Sequence, residues 1–111
     1  MGVDTRAQDE AAARLAAGVA SYALGAPLDD IIKVERGSNE VAFARQVAMY
    51  LCHVGFELSL ARVAVAFARD RSTVAHACHV IEDKREDERF DDWIASLEAM
   101  LCDAPPPQVA A

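Results

Sequence analysis

The 111-residue sequence has few aromatic residues (6% of the chain) and only three cysteines, five glycines and four prolines. Few residues favour β-strands and no run alternates strictly between apolar and polar positions, so we expect no sheet. The three cysteines are widely spaced, which argues against a disulfide framework and indicates reduced thiols in the cytoplasm. No N-terminal apolar segment and no apolar run of membrane-spanning length occurs, so we expect neither a signal peptide nor a membrane anchor. The phosphate-binding pattern GxxxxGK[ST] is also missing, which excludes a P-loop nucleotide site.

What the sequence does contain is helix-forming: 53% of its residues are apolar, and much of that fraction is alanine. The expected fold is all-α, a compact helical domain around a helix-turn-helix. We divide the chain into a flexible N-terminus (1–8), a helical domain (9–103) and a disordered Pro-rich tail (104–111). Helices are expected at about 9–23, just after Pro27, at 40–54, 59–67, 70–81 and 90–101. Leu15, Val19 and Tyr22 are the larger residues that we expect to point inward from the first.

The segment from Arg69 to Ile81 organises the rest of the chain. Four apolar residues recur there at helical spacing and predict one buried stripe: Val74, Ala77, Cys78 and Ile81. Asp70 stands at the expected N-cap position. The opposite face is short and polar, with Ser72, His76 and His79 flanked by Arg71 and Thr73. A short helix capped by Ser59 precedes this one by three residues, which predicts a helix-turn-helix whose second helix is the recognition helix.

The formal charge of −7 is unevenly distributed. Residues 36–76 contain five arginines and three acidic residues, whereas residues 77–103 contain three basic and nine acidic ones. The positive segment therefore coincides with the predicted helix-turn-helix, as a DNA-binding surface requires. The acidic face at residues 82–92 has two interpretations: a solvated surface, or a surface that docks a basic partner.

Three stretches together resemble the C-terminal DNA-binding domain, domain IV, of the bacterial replication initiator DnaA. They are ARQVAMYL (44–51), ELSLARVAVAF (57–67) and RDRSTVAHACHVIE (69–82), and the resemblance extends over roughly residues 9–101. The segment LDDIIKVERGS (28–38) corresponds to the short helix and basic loop of that family. The resemblance implies that the recognition helix enters the major groove of double-stranded DNA while the loop reaches the minor groove.

The resemblance also implies roles for individual residues. Base-reading positions are occupied by Asp70, Arg71, Ser72 and His76, and phosphate-contacting positions by Arg45, Gln46 and Thr73. Arg36 is a candidate for the minor groove and His79 for the rim of the interface. Arg71 stands where the family usually has histidine, which favours guanine at that base pair. Gly37 stands where the family has its minor-groove arginine, and the turn before Arg69 is one residue shorter.

Our leading hypothesis is a cytoplasmic, nucleoid-associated transcription regulator that binds specific DNA sequences. Met1 and the Pro-rich end favour a complete small protein without an ATPase. Free-standing domains of this kind resemble the DNA-binding component of gene transfer agent activators, which implies a sigma-like or RNA polymerase-associated partner. The alternatives are a replication modulator that competes for initiator boxes and a protein-interaction module that has lost DNA binding.

We expect no enzyme activity, since no cleft or partner residue supports acid–base chemistry at Asp91 and Asp92. We also expect no cofactor, nucleotide or metal. Cysteines and histidines cluster loosely, but Cys78 is predicted to point inward and His76 outward, so these side chains cannot converge on one zinc ion.

Overall fold

Six α-helices occupy the residues described by the computed structural model, which are 5–104 apart from residues 34 and 36. The helices are α1 (Thr5–Leu24), α2 (Leu28–Ile32), α3 (Asn39–Gly55), α4 (Leu60–Phe67), α5 (Arg71–Lys84) and α6 (Glu88–Asp103). The described residues contain no strand, and the expected all-α fold is confirmed. None of the described helices is both long and apolar enough to cross a membrane.

Helix α3 is the central element, because it packs against each of the other five helices. Its inward positions follow helical spacing: Val41, Ala44, Val47, Ala48 and Leu51 are all buried. Helix α1 lies against it through a stripe of buried alanines that includes Ala16, Ala17 and Ala20. Small side chains let two helix backbones approach closely, which suits a core with few aromatic residues.

Helix α1 differs from the expectation in two respects. It begins at Thr5, so residues 5–8, expected to be flexible, are helical. The reason is tertiary packing: its first turns lie against α4, and Arg62 donates two hydrogen bonds, of 2.9 and 2.7 Å, to the buried Asp9 carboxylate. Tyr22, expected to point inward, is 80% exposed because it lies about 200° around the helix from the buried Ala20. The predictions for residues 1–4 and for the Pro-rich stretch at 105–111 concern positions outside the described residues.

The charged stretch at residues 84–88, expected to be a solvated run, contains one structural residue. Arg85 closes the junction between α5 and α6, with a side chain that is only 22% exposed. Its guanidinium binds the Asp91 carboxylate, the Glu98 carboxylate at 3.0 Å and the Tyr50 hydroxyl at 2.9 Å. These contacts raise the pKa of Arg85 against the opposing effect of burial. The acidic end of the chain is thereby fixed to α3.

The cysteines differ in accessibility, and this leads to a test of the core. Cys52 and Cys78 are buried and Cys102 is exposed, and all three are free thiols. Burial raises the pKa of Cys52 to about 12 and that of Cys78 to about 11, so neither forms the reactive thiolate near neutral pH.

We therefore expect a disulfide reagent to label one thiol rapidly in the native protein and all three in denaturant. The C102S variant should lose the rapid phase, and a second rapid thiol in that variant would contradict the packing described above.

Candidate nucleic-acid interface

Helices α4 and α5 form the predicted helix-turn-helix. The Ser59 side chain caps α4 by accepting a 3.2 Å hydrogen bond from the backbone amide of Arg62. Ala68 ends α4 in the left-handed region, at φ 55°, and the amide of Arg69 donates back to the carbonyl of Ala64 at 2.9 Å. The chain therefore reverses direction within residues 68–70 and starts α5 at once. A turn this short fixes the angle between the two helices.

Helix α5 buries one face and exposes the other, as its spacing predicted. The buried stripe consists of Val74, Ala77, Cys78 and Ile81. The four base-reading candidates are exposed on the outside of its first turns: Asp70, Arg71, Ser72 and His76. The backbone of Asp70 has the geometry of an N-cap, but its carboxylate makes no capping hydrogen bond. The first backbone amides of α5 therefore donate no hydrogen bond to the Asp70 carboxylate. These amides point outward from the helix start, where Asp70 is exposed.

An open cleft of about 590 Å³ runs beside this helix start. One wall is α3, with Ala42, Arg45, Gln46 and Met49, and the other is formed by Ala68, Arg69, Asp70 and Thr73. All three phosphate candidates therefore line it: the buried Arg45, the half-buried Gln46 and the exposed Thr73. Arg69 lines the same cleft and was missed as a site residue. Its position immediately before the N-cap of the recognition helix was the available signal.

Arg45, the third phosphate candidate, makes contacts that the sequence did not predict. It is only 5% exposed, and its guanidinium is committed to backbone carbonyls. Nε donates to Ile31 at 2.7 Å, and Nη2 donates to Asp30 at 2.7 Å and to Glu35 at 2.9 Å. The carbonyls at the end of α2 have no helical partner and need a donor when they are buried. Arg45 provides it, so this residue holds the loop after α2. Its contact with a phosphate stays a prediction.

The same loop is also held from the helix-turn-helix. Nη2 of Arg69 donates to the carbonyl of Lys33 at 2.7 Å. Arg36, the minor-groove candidate, lies outside the described residues, so that prediction stays a prediction. Gly37 is in the left-handed region at φ 74°, and a Cβ built on it would lie 3.1 Å from a methyl carbon of Val41. Both backbone and space therefore favour glycine at this position, where the resemblance places an arginine.

The histidines do not assemble a metal centre. His79, the rim candidate, is exposed on α5 and lies 3.3 Å from the carboxylate of Asp83, one turn further on. His53 Nδ1 lies 2.6 Å from the carbonyl of Leu58, a contact that ties the end of α3 to the start of α4. His76 is exposed whereas Cys78 is buried. Among the described residues, no three histidine, cysteine or acidic side chains are placed to share a metal ion.

The role of Arg45 can be tested with a substitution that keeps its charge. We expect R45K to destabilise the fold by roughly 1–3 kcal/mol, because one ammonium cannot reach three carbonyls and leaves buried acceptors unpaired. Equilibrium denaturation measures the loss, and R14K on the exposed side of α1 is the matched control. An R45K protein as stable as R14K would show that the buried guanidinium is dispensable.

Comparison with known proteins agrees with this geometry. The family model described as "Bacterial dnaA protein helix-turn-helix" matches residues 18–81. The chromosomal replication initiator protein DnaA of Aquifex aeolicus is 36% identical over 87 residues, covering 77% of this chain and 21% of the relative. DnaA 2 of Chlamydia caviae is 41% identical over 63 residues, which cover 57% of this chain and 14% of the relative.

A solved structure shares the fold. The crystal structure described as that of a DNA replication initiation factor superimposes with a TM-score of 0.75 and 26% identity, over 85% of this chain and 29% of the other. This chain thus corresponds to about a fifth of the length of the Aquifex relative. The matched region includes α3, the turn at residues 68–70 and most of α5, which are the elements that build the cleft and the exposed recognition face. The chain belongs to the bacterial DnaA helix-turn-helix family.

Proposed function

We propose that this protein binds double-stranded DNA in a sequence-specific manner, with α5 in the major groove, and regulates transcription together with a protein partner. The observation that carries the proposal is the outer face of α5. Asp70, Arg71, Ser72 and His76 are exposed there together, and a buried stripe fixes the helix from behind. Short polar side chains and an arginine on a rigid helix are what reading of base edges requires.

The cleft beside α5 supports a second part of the proposal, contact with the DNA backbone. Gln46 and Thr73 offer hydrogen-bond donors on its two walls, and the first amides of α5 point out of the helix next to them. Helix N-termini attract phosphates because their amides are unpaired and the helix dipole is positive there. These contacts orient the protein on the duplex without reading sequence.

The −7 net charge does not oppose this proposal, because the charge is separated along the chain. The acidic residues at the far end of α5 and on α6 are held away from the recognition turn by the length of α5, about 20 Å. Repulsion between that end and the duplex helps to orient the protein, with the arginine-rich turn facing the DNA.

We infer that the activity is binding of DNA and not catalysis, because the exposed face of α5 presents side chains suited to base edges. A second function, competition with initiators for their DNA boxes, is favoured by the 36–41% identity to proteins named as replication initiators. Footprinting on origin and promoter DNA separates the two: protected origin boxes indicate the modulator, and protected promoter sites indicate the regulator.

Selection of bound duplexes from a random DNA pool tests sequence reading directly. Wild-type protein should enrich one defined motif. We expect R71A to relax a single base position, guanine in the wild-type motif, at a cost of about 1–3 kcal/mol in cognate binding. R14A removes the same charge from α1 and should leave the motif intact. Equal losses of R71A affinity on cognate and scrambled DNA would contradict base reading by this residue.

Thr73 is predicted to behave differently from Arg71. T73V keeps the side-chain shape but removes the hydroxyl from the cleft wall, so its loss should be the same on cognate and scrambled duplexes. The selected motif should be unchanged. A new base preference in the T73V selection would place Thr73 among the base-reading residues.

A further inference from the structure

A second open cleft, of about 560 Å³, lies at the opposite end of α5 from the recognition turn. It is formed where α5 ends and α6 begins, and it is lined by Asp83, Lys84, Asp87, Arg89, Phe90 and Trp93. We call it the aromatic–acidic cleft. The proposed DNA-binding face does not use it, because the 14 residues of α5 separate the two by about 20 Å.

The apolar part of this cleft is a row of rings that the core only half covers. Phe90 stands between Phe43 and Trp93, with centroid distances of 6.4 and 5.5 Å and tilted rings. Lys84 Nζ lies 5.7 Å from the centroid of Phe43 and covers one end of the row. Phe90 and Trp93 remain partly exposed in the cleft. Large, rigid, half-exposed aromatic side chains are typical anchors at protein interfaces.

The surroundings of the rings carry an excess of negative charge. The Asp91 and Glu98 carboxylates share the single positive charge of Arg85. Four other carboxylates on this end of the molecule are exposed and make no ion pair with the described part of the chain: Glu82, Glu86, Glu88 and Asp92. At the cleft itself Asp83 and Asp87 balance Lys84 and Arg89, so these surrounding carboxylates supply the excess of negative charge. An apolar cleft with this rim complements a cationic, amphipathic surface.

We propose that the aromatic–acidic cleft docks a cationic amphipathic helix of a partner protein. An apolar residue of that helix occupies the space over Phe90 and Trp93, and its lysines or arginines lie against the acidic rim. The cleft is then the surface that binds the protein partner of the proposed function, and the inference rests on that function. DNA does not fit the site, since the carboxylates repel phosphates.

A second copy of this chain also fits poorly. Its cationic outer face on α5 carries Arg71, Ser72 and His76, which include no large apolar side chain for the aromatic space. On α4, the exposed Val65 lies near Arg62, but that guanidinium is already paired with Asp9.

Trp93 is the single tryptophan of the chain, so its fluorescence reports on this cleft alone. The full-length protein is titrated with three synthetic peptides of equal length that contain no tryptophan. The first is a lysine–leucine amphipathic helix, the second has glutamate in place of lysine, and the third is a scrambled lysine–leucine sequence. We expect the first to shift Trp93 emission to shorter wavelength with saturation. The other two should bind more weakly, by about tenfold or more.

Charge variants of the rim test the same proposal without changing the rings. D83N combined with D87N should weaken binding of the lysine–leucine peptide by about three- to tenfold. Asparagine at 87 still accepts the hydrogen bonds that cap α6, so the fold is retained. R89E should tighten binding, because it replaces a repelling charge with an attracting one. E10Q combined with D103N removes the same charge elsewhere and should leave the affinity unchanged.

Three outcomes would overturn the proposal. They are equal affinity for the three peptides, a lysine–leucine affinity that the rim variants do not change, and self-association of the chain that D83N/D87N abolishes. The last outcome would assign the cleft to a second copy. DNA selection with the same rim variants should return the wild-type motif, so loss of peptide binding and loss of DNA binding are distinguishable.

Discussion

The buried guanidinium of Arg45 is the interaction on which the geometry of the recognition surface depends. It joins α3 to two backbone carbonyls at the end of α2 and one in the loop that follows, and Arg69 holds the same loop from the helix-turn-helix. A planar guanidinium presents several donors in fixed directions, so one side chain can fix a loop that forms no regular structure. The loop, the central helix and the start of α5 are therefore positioned by one network. A shift in the loop changes the cleft beside α5 as well.

The separation of positive and negative charge in the molecule follows from the way α5 is packed. Its buried stripe spans from Val74 to Ile81, so the helix is rigid between an arginine-rich beginning and an acid-rich end. Arg85 then closes the acidic end by pairing with two carboxylates and the Tyr50 hydroxyl, which leaves the remaining acids at the surface. Charge separation of this kind lets a chain of net charge −7 carry a nucleic-acid surface, since screening confines each charge to a range of roughly 10 Å.

The sequence predicted the periodic elements well, and the structure explains why it failed elsewhere. The stripe of α5 and the inward face of α3 follow from apolar spacing, which tertiary contacts here reinforce. Apolar spacing could not predict the burial of Arg45, because a charged side chain is normally expected to face solvent. The carbonyls that bind its guanidinium lie 10 to 15 residues away in the sequence. Tyr22 was predicted inward from its size, but in α1 the buried stripe is made of alanines. Arg85 was assigned to solvent because its partners Tyr50 and Glu98 are distant in sequence.

Gly37 shows how this chain departs from the family pattern at the level of the backbone. Its φ of 74° belongs to a conformation that residues with a Cβ adopt only at a cost, and Val41 fills the space that a Cβ would need. An arginine at this position would therefore strain the backbone and require a small shift of Val41, in a loop that Arg45 and Arg69 hold. Under the proposed function, this constraint favours reading of DNA sequence by the outer face of α5, where the guanidinium of Arg71 suits guanine.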